Sequence, residues 1–338
     1  MTPRTRTTRL LAAVTVGLGA IALTGCGGGV SAGSAPDSAG EAITIENCGR
    51  TVEIPTTPTA VVGLHPSQTE LLLRLGLADS LVGQAQATAQ KLPADVAGMA
   101  ADVPVIGGDA PPSREELLAV EPDFVYSPTT YEFTAEQGFA SIEQLADAGV
   151  AAYTATGGCF DRRMEGTVDD LFIDLDNLGA IFQVEKEAND LIASSQAELA
   201  TVDTAIEGQD RPRVAQVFVE GTTLTAIGAG IEYDILQRAG ADNVFTPDDP
   251  AFADFFAAEI TPESLAAEAP DALVFAVTDS AHEAAVRSYL AATFPDMPAV
   301  RDGRLIAVPS TDLFPGTLGN VSAVRLIAEE LYPDAVFD

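Results

Sequence analysis

Short apolar runs alternate with amphipathic segments along most of the chain. Runs of mostly apolar residues predict buried strands at six places: 60–64, 124–127, 151–154, 214–219, 272–277 and 305–308. Between these runs, apolar residues at helical spacing predict helices at 68–75, 141–148, 231–239, 262–268 and 320–331. Strands that alternate with helices are typical of parallel sheets covered on both faces, so we expect an α/β fold.

A long helical pattern lies in the middle of the chain. Thr167 and Asp170 have the spacing of a capping box for a first helix, and Gly179 and Gln183 interrupt the pattern after it. A second helix over 184–206 would be roughly 34 Å long if it is continuous. Helices of that length are less common inside α/β units than between domains, so we interpret it as a connector.

A short repeat relates the two sides of this connector. Residues 115–123 match residues 263–271 at five of nine positions, and each segment predicts a helix that stops at Pro-Asp before an apolar strand. A chance match between two helix–Pro–strand units is the alternative. With the connector, the repeat favours two similar α/β lobes around a ligand cleft. We place the N-terminal lobe at 43–166, the linker helices at 167–208 and the C-terminal lobe at 209–338.

The first 42 residues have a different pattern. Three arginines precede an apolar run over 10–23, which makes about 21 Å of helix and falls short of the ~30 Å core of a membrane. This order predicts a signal peptide at 1–25 and a flexible tether at 26–42. The end of the signal resembles the lipobox of bacterial lipoproteins, which implies that Cys26 carries lipid. An ordinary signal peptide with an accidental cysteine is the alternative.

The amino-acid composition of the chain restricts the kinds of molecule that the protein can bind. The chain has 50 acidic and 17 basic side chains, a net charge of −33 and 47% apolar residues. The apolar content provides material for a core, which a disordered acidic chain lacks. The sequence has no basic stripe, so we exclude nucleic acid as a partner.

The three cysteines divide into one candidate anchor and one pair. If Cys26 carries lipid, Cys48 and Cys159 remain as an even number of cysteines in an oxidising compartment. We therefore predict a disulfide between them. Two unrelated buried thiols are the alternative.

From residue 43 onward the chain resembles the substrate-binding proteins of bacterial ABC importers for ferric siderophores, haem and cobalamin. The landmarks are two paired helix–Pro-Asp–strand units and the segments 61–71, 75–83, 178–182, 299–305 and 331–333. The resemblance implies two Rossmann-like lobes with parallel sheets, joined by one long connector helix, with the ligand cleft between the lobes. It also implies that the partner is an ABC transporter permease.

The same resemblance gives the repeated glutamates Glu115 and Glu263 a role in docking to the permease. From the residues alone, Ser113 and Thr261 are good N-caps that place each glutamate at the second helical position. A carboxylate there gains about 0.3–1 kcal/mol from the helix dipole without any partner. An exposed glutamate at this position also remains available to an arginine of another protein.

Candidate ligand residues come from loops at the carboxyl ends of the predicted strands. We assign this role to His65, Ser67, Ser127, Tyr131, Arg162, Arg163 and Phe314. Arg162 and Arg163 suit an anionic group, although they are equally compatible with surface charges beside neighbouring acids. His65 is a possible metal or haem ligand, or a locally hydrogen-bonded residue beside Pro66. Three further aromatic residues either form a wall of the cleft or belong to the core, and we favour the core: Phe252, Phe255 and Phe256.

The sequence carries no motif of a hydrolase, a metalloprotease or a dinucleotide-binding enzyme. Two histidines are too few for a histidine-rich metal site, so we predict no metal site and no cofactor. The expected function is capture of a ferric siderophore by a monomeric protein, anchored by lipid on the extracytoplasmic face of the cell membrane, and delivery of this small iron chelate to the permease. Haem or cobalamin binding is the alternative, and a lipoprotein enzyme is less favoured.

Overall fold

The structure is a computed structural model, and it describes residues 42–88 and 90–337 of the chain. The predicted signal peptide, the predicted lipidation site Cys26 and the tether up to residue 41 lie outside the described residues. Among the described helices, each is either too short or too polar to cross a membrane.

The N-terminal lobe is built on a five-stranded parallel sheet. Its strands, in chain order, are β3 (Val61–Gly63), β4 (Leu81–Ala85), β5 (Val105–Ile106), β6 (Phe124–Ser127) and β7 (Ala151–Thr154), and their spatial order is β5-β4-β3-β6-β7. An antiparallel hairpin, β1 (Ile43–Asn47) and β2 (Arg50–Ile54), precedes the sheet. The helices of this lobe are α1 (Pro66–Arg74), α2 (Arg114–Ala119) and α3 (Ile142–Asp147).

The C-terminal lobe is built on a mixed sheet in the order β11-β9-β8-β12-β13, with β10 paired to β8. The strands are β8 (Arg213–Glu220), β9 (Thr223–Ile227), β10 (Asp242–Asn243), β11 (Ala257–Glu259), β12 (Ala272–Val277) and β13 (Leu305–Pro309). Its helices are α6 (Gly230–Arg238), α7 (Pro262–Glu268), α8 (Ser280–Thr293), α9 (Pro298–Arg301) and α10 (Gly319–Leu331).

The predicted fold class is confirmed, with one correction to the second sheet. We predicted parallel sheets, but β9 is antiparallel to both β8 and β11. The reason is the two-residue connection between β8 and β9, in which Gly221 has φ of +62°. A connection this short only allows a hairpin, because a parallel pair needs a crossover of a dozen residues or more.

Two helices form the linker between the lobes. They are α4 (Asp170–Phe182) and the connector α5 (Glu185–Ala205), which is about 32 Å long. The break between them is at Gln183, whose φ is +57°. Gly179, which we predicted to interrupt the helix, lies inside α4. A Cβ atom there would come within 2.9 Å of the Ala188 Cβ, so glycine allows the two helices to pack closely.

The predicted repeat has the same structure in both lobes. The Asp123 carboxylate accepts hydrogen bonds from the Thr59 and Ala60 backbone N–H groups, at 2.8 and 3.0 Å, just before β3. The Asp271 carboxylate accepts from the Arg213 N–H at 3.0 Å, at the start of β8. In each lobe, the Pro-Asp that ends a helix therefore fixes the beginning of the neighbouring central strand.

One hydrophobic cluster is shared by both lobes and by the linker. It includes Leu72 of α1, Leu175 of α4, Val202 of α5, Ile235 of α6 and Val274 of β12, all of which are buried. Because this cluster is continuous, the linker helices hold the two sheets together rather than only connecting them in sequence.

Candidate ligand-binding cleft

A loop of the C-terminal lobe is seated against the carboxyl edge of the N-terminal sheet. The rings of His65, after β3, and Phe314, after β13, have centroids 4.1 Å apart. Gln68 Nε2 donates to the Pro315 carbonyl oxygen at 2.9 Å, and the Tyr126 hydroxyl donates to the Gly316 carbonyl oxygen at 3.0 Å. These contacts join the two lobes at the level where the ligand loops were predicted.

His65 and Ser67 have local roles at this junction. His65 is 2% exposed and is the N-cap of α1. Its Nδ1 lies 2.6 Å from Ser67 Oγ and also accepts the Ser67 backbone N–H. Burial lowers the pKa of the His65 imidazole to about 3, so the ring is neutral at physiological pH. The assignment of both residues to the ligand stays a prediction.

The two predicted ligand residues in the loop after β6 differ in exposure. Ser127 is buried, and its hydroxyl donates to the Thr129 carbonyl oxygen at 2.8 Å and to Glu132 Oε2 at 3.0 Å. Tyr131 is 53% exposed, with its ring edge-on to Phe139. Ser127 therefore fixes the conformation of this loop, and the assignment of Ser127 and Tyr131 to the ligand stays a prediction.

The loop after β7 is fixed to the rest of the lobe at its start. Cys159 is bonded to Cys48 in the turn of the β1–β2 hairpin, which confirms the predicted disulfide. Beside this bond, Asn47 exchanges two hydrogen bonds with the Thr154 backbone, at 2.7 and 2.9 Å. The Asp174 carboxylate of α4 accepts from the Thr156 N–H at 2.9 Å. The loop that carries both candidate arginines is thus anchored from two sides.

Asp174 is a buried acid that sequence reasoning missed. It is fully buried, and its carboxylate also accepts hydrogen bonds from the hydroxyl groups of Tyr153, at 2.7 Å, and Thr156, at 2.6 Å. Burial raises the pKa of this carboxyl to about 7. No spacing in the sequence brings residue 174 next to residue 153, because the contact depends on how α4 packs on β7.

The two candidate arginines have different surroundings. Arg162 forms an ion pair with Asp170, at 2.7 and 3.0 Å, and the Asp170 side chain is 3% exposed. Asp170 also accepts the Thr167 N–H at 2.9 Å, but α4 begins at Asp170 with Asp169 as its N-cap, so the predicted capping box with Thr167 as N-cap is wrong. Through this ion pair, Arg162 therefore attaches its loop to the start of α4.

Arg163 reaches from the N-terminal loop to the C-terminal lobe. Its guanidinium donates to the Asp254 carbonyl oxygen at 2.9 Å. The same group lies over the Phe160 ring at 4.1 Å and near the Phe255 ring at 5.2 Å. Phe160 is 66% exposed and Phe255 is 45% exposed, so this cation and its two rings face solvent. Phe255 was predicted to be core, and it is not.

The prediction that Phe252 and Phe256 belong to the core is partly right. Phe252 is 1% exposed and lies in the core of the C-terminal lobe, where its ring contacts Phe245. Phe256 is half-buried, and its ring is tilted by 36° against that of Phe255, with centroids 4.3 Å apart. The short strand β11 follows directly and holds this aromatic pair at the edge of the sheet.

Glu115 and Glu263 lie where the sequence analysis placed them on their helices. Ser113 and Thr261 are the N-caps of α2 and α7, and each hydroxyl accepts a backbone N–H of the first turn. Both glutamates are exposed at the second helical position, and Glu115 also contacts Arg114 at 3.0 Å. The role of these glutamates in docking stays a prediction.

The C-terminal lobe contributes two further acids with perturbed titration. Burial raises the pKa of the Glu232 carboxyl on α6 to about 8. Burial, followed by the nearby charge of Glu70, raises the pKa of Asp312 to about 7.

Across residues 42–88 and 90–337, no group of three or more His, Cys, Asp or Glu side chains converges as metal ligands would.

Comparisons with known proteins fit this architecture. The family model described as periplasmic binding protein matches residues 61–311. Over 169 residues, the chain is 25% identical to the uncharacterized ABC transporter substrate-binding lipoprotein YvrC of Bacillus subtilis (strain 168). The aligned region is 50% of this chain and 48% of that protein, so the chain spans about half the length of this curated relative.

Three solved structures share the fold. A periplasmic binding protein of Veillonella parvula has a TM-score of 0.76 at 23% identity, covering 87% of this chain and 99% of that one. The Fe3+-hydroxamate transport system structure of Saccharomonospora viridis has a TM-score of 0.69 at 24% identity, covering 85% and 98%. A periplasmic heme binding protein of Pseudomonas aeruginosa has a TM-score of 0.65 at 24% identity, covering 82% and 94%.

The family model covers well over half of the chain, including β3 to β13 of both lobes and the linker helices between them. The family consists of substrate-binding proteins and not of enzymes. This protein therefore belongs to the periplasmic binding protein family.

Proposed function

We propose that this protein is the substrate-binding component of an ABC importer and that it captures a ferric siderophore. In this proposal Cys26 is lipidated, and the mature monomeric protein is held on the extracytoplasmic face of the cell membrane. Support comes from the family match, from the lipoprotein name of the Bacillus subtilis relative and from the order of residues in the signal peptide.

The observation that carries the proposal is the arrangement of Arg163 between Phe160 and Phe255 where the two lobes meet. Exposed rings offer flat apolar surface, and a guanidinium offers hydrogen bonds to carbonyl or anionic oxygens. A ferric siderophore presents both kinds of surface, because oxygen donors surround the iron and organic linkers surround the oxygens. Tyr131 adds a third exposed ring from the neighbouring loop.

Haem is the second candidate ligand, and cobalamin the third. An exposed tyrosine such as Tyr131 is a known type of haem ligand. His65 is a weaker candidate, because its ring is buried against Phe314 and its Nδ1 is engaged by Ser67.

The decisive experiment is to purify the mature protein from iron-limited cells and to record its visible spectrum and the mass of the bound molecule. Charge-transfer bands of a ferric hydroxamate or catecholate support the proposal. A Soret band reassigns the ligand to haem, and a corrin spectrum reassigns it to cobalamin. Turnover of a supplied compound would contradict the binding-protein class.

Docking to the permease is tested by reversing two charges. We expect Glu115→Arg with Glu263→Arg to abolish uptake of the chelate while the purified protein keeps its affinity for it. The control is Glu187→Arg, which reverses an exposed acid in the first turn of α5. Normal uptake by the double variant would remove the docking role.

A further inference from the structure

Helix α6 of the C-terminal lobe lies along the segment that joins the lobes. The Gly230 N–H donates to the Met164 carbonyl oxygen at 3.1 Å, and the Val168 N–H donates to the Asp234 carboxylate at 2.8 Å. One turn further, Arg238 pairs with Asp169 at 2.7 Å. The first turn of α6 is thus placed beside the loop that carries Arg163.

Glu232 lies in this first turn but on a different side of the helix. Its side chain turns toward the sheet and contacts the amide of Gln216 on β8. Gln216 is 1% exposed, whereas Glu232 is only half-buried. Glu232 therefore lies at the boundary between the interior of the lobe and solvent, with its carboxyl group directed inward to Gln216.

This pair has unused hydrogen-bonding capacity. Nε2 of Gln216 is directed to Glu232, while Oε1 of Gln216 is buried and has no partner among the described residues. A buried carbonyl oxygen without a partner is costly, so such atoms are normally satisfied by protein, water or ligand. The unpartnered oxygen is next to a carboxyl group, so the two present acceptor atoms together.

Glu232 also lacks a compensating charge. Burial alone accounts for the raised pKa of its carboxyl, and no charged neighbour on α6 or β8 contributes among residues 42–88 and 90–337. The other charged groups of this helix, Asp234 and Arg238, pair with each other at 2.9 Å. A cation arriving beside Glu232 would supply the missing charge and release the proton that burial retains.

We infer that Gln216 and Glu232 form a polar subsite of the C-terminal lobe that receives a protonated amine of the bound ligand. An ammonium group has three N–H donors and one positive charge, which match one carboxylate and one free amide oxygen. An anionic group would face the carboxylate without a cation to offset the repulsion. A metal ion would need more ligands than these two side chains provide.

This inference rests on the proposed function, and two iron chelates with the same core separate the two claims. The probes are ferrioxamine B, a ferric trihydroxamate with a free terminal amine, and the same chelate with that amine acetylated. We expect the unmodified protein to prefer the amine form by about tenfold or more, as a charge-assisted hydrogen bond to a partly buried group implies. Calorimetry gives both affinities.

The variants Glu232→Gln and Gln216→Met should lower the affinity for the amine form toward that of the acetylated form. Both should leave the affinity for the acetylated form within about twofold of the unmodified protein. The matched control is Glu220→Gln, which removes one charge from the exposed end of the same strand. It should keep the preference, because a screened surface charge acts weakly.

Equal affinity for the two chelates would overturn the subsite and leave the siderophore function standing. A preference that survives Glu232→Gln would overturn it as well. Binding of neither chelate would contradict both this subsite and the capture of ferric hydroxamates. If Glu232→Gln lowers the melting temperature and weakens the binding of both chelates equally, Gln216 and Glu232 have only a structural role, which also overturns the inference.

Discussion

The rings of His65 and Phe314 lie 4.1 Å apart, and they belong to loops of different lobes. The same C-terminal loop gives carbonyl oxygens to Gln68 and Tyr126 of the N-terminal lobe. A loop that is bonded into the opposite lobe in this way restricts how far the lobes can separate. We therefore expect the lobes to move little when a ligand binds.

The buried imidazole should make stability depend on pH. The folded-state pKa of His65 is about 3, below the ordinary value of 6.5, so the unfolded chain takes up the proton first. The stabilisation is complete above pH 6.5 and declines as the pH falls toward 3. Between pH 7 and pH 5 we expect a loss of about 2 kcal/mol from this residue. Denaturant unfolding of His65→Gln over this range should show a flatter pH profile, and parallel profiles would contradict the assignment.

Gly316 should be intolerant of a side chain. Its φ is +69°, and a Cβ atom would come within 2.4 Å of the Tyr126 hydroxyl oxygen. Gly303 provides a matched control, because its φ is +72° and nothing lies within 4 Å of the added atom. We expect Gly303→Ala to cost about 1 kcal/mol from backbone strain and Gly316→Ala to cost about 3 kcal/mol or more. Equal melting temperatures would show that the contact between lobes contributes nothing.

The disulfide should contribute both to stability and to the ligand loop. Replacing Cys48 and Cys159 by serine removes a link between residues 111 apart, which should cost about 2–4 kcal/mol of unfolding free energy. The same change frees the start of the loop that carries Arg163, so ligand affinity should also fall. Reduction of the unmodified protein should reproduce both effects. A stable double variant with unchanged affinity would show that the other anchors of the loop are sufficient.

Substitution of Arg162 should lower stability, whereas substitution of its neighbour Arg163 should weaken ligand binding. Arg162→Met leaves the buried Asp170 carboxylate without its cation, so we expect a loss of about 1–3 kcal/mol of stability. Arg163→Met should leave the melting temperature nearly unchanged and weaken binding of the ferric chelate about tenfold or more. Arg163→Lys keeps the charge but not the planar group, and it should recover only part of the affinity. A loss of stability in Arg163→Met together with a loss of affinity in Arg162→Met would assign the structural role to Arg163 and the binding role to Arg162.

The repeated aspartates should contribute unequally to stability. Asp123 accepts from the backbone of Thr59 and Ala60 and also from the Thr59 hydroxyl at 3.2 Å, whereas Asp271 accepts one backbone N–H. We expect Asp123→Ala to cost about 2 kcal/mol and Asp271→Ala about 1 kcal/mol in denaturant unfolding. Asn at either position should restore part of the loss, because its oxygen accepts one of these bonds. A larger loss for Asp271→Ala would contradict this order, which rests on the number of hydrogen bonds that each carboxylate accepts.

Several elements of the fold were predictable because the signal is local. The strands over 124–127, 151–154 and 272–277 are mostly apolar runs, and each is a largely buried strand, although β7 lies at the edge of its sheet. Strands β9 and β11 were missed because they are short, half-polar and stabilised by antiparallel pairing. The disulfide was predictable once Cys26 was assigned to the lipid anchor, since the two cysteines that remain allow one pairing.

By itself, the sequence determined the α/β class, the connector helix, the disulfide and the family resemblance, because periodicity, caps and residue order are local properties of the chain. The tertiary structure alone decided what each candidate side chain touches. Arg162 and Arg163 are neighbours in sequence, but one is paired with Asp170 while the other reaches Asp254. His65 and Phe314 meet each other, and Glu232 meets Gln216. Such contacts depend on how separate elements pack, and no local pattern records that packing.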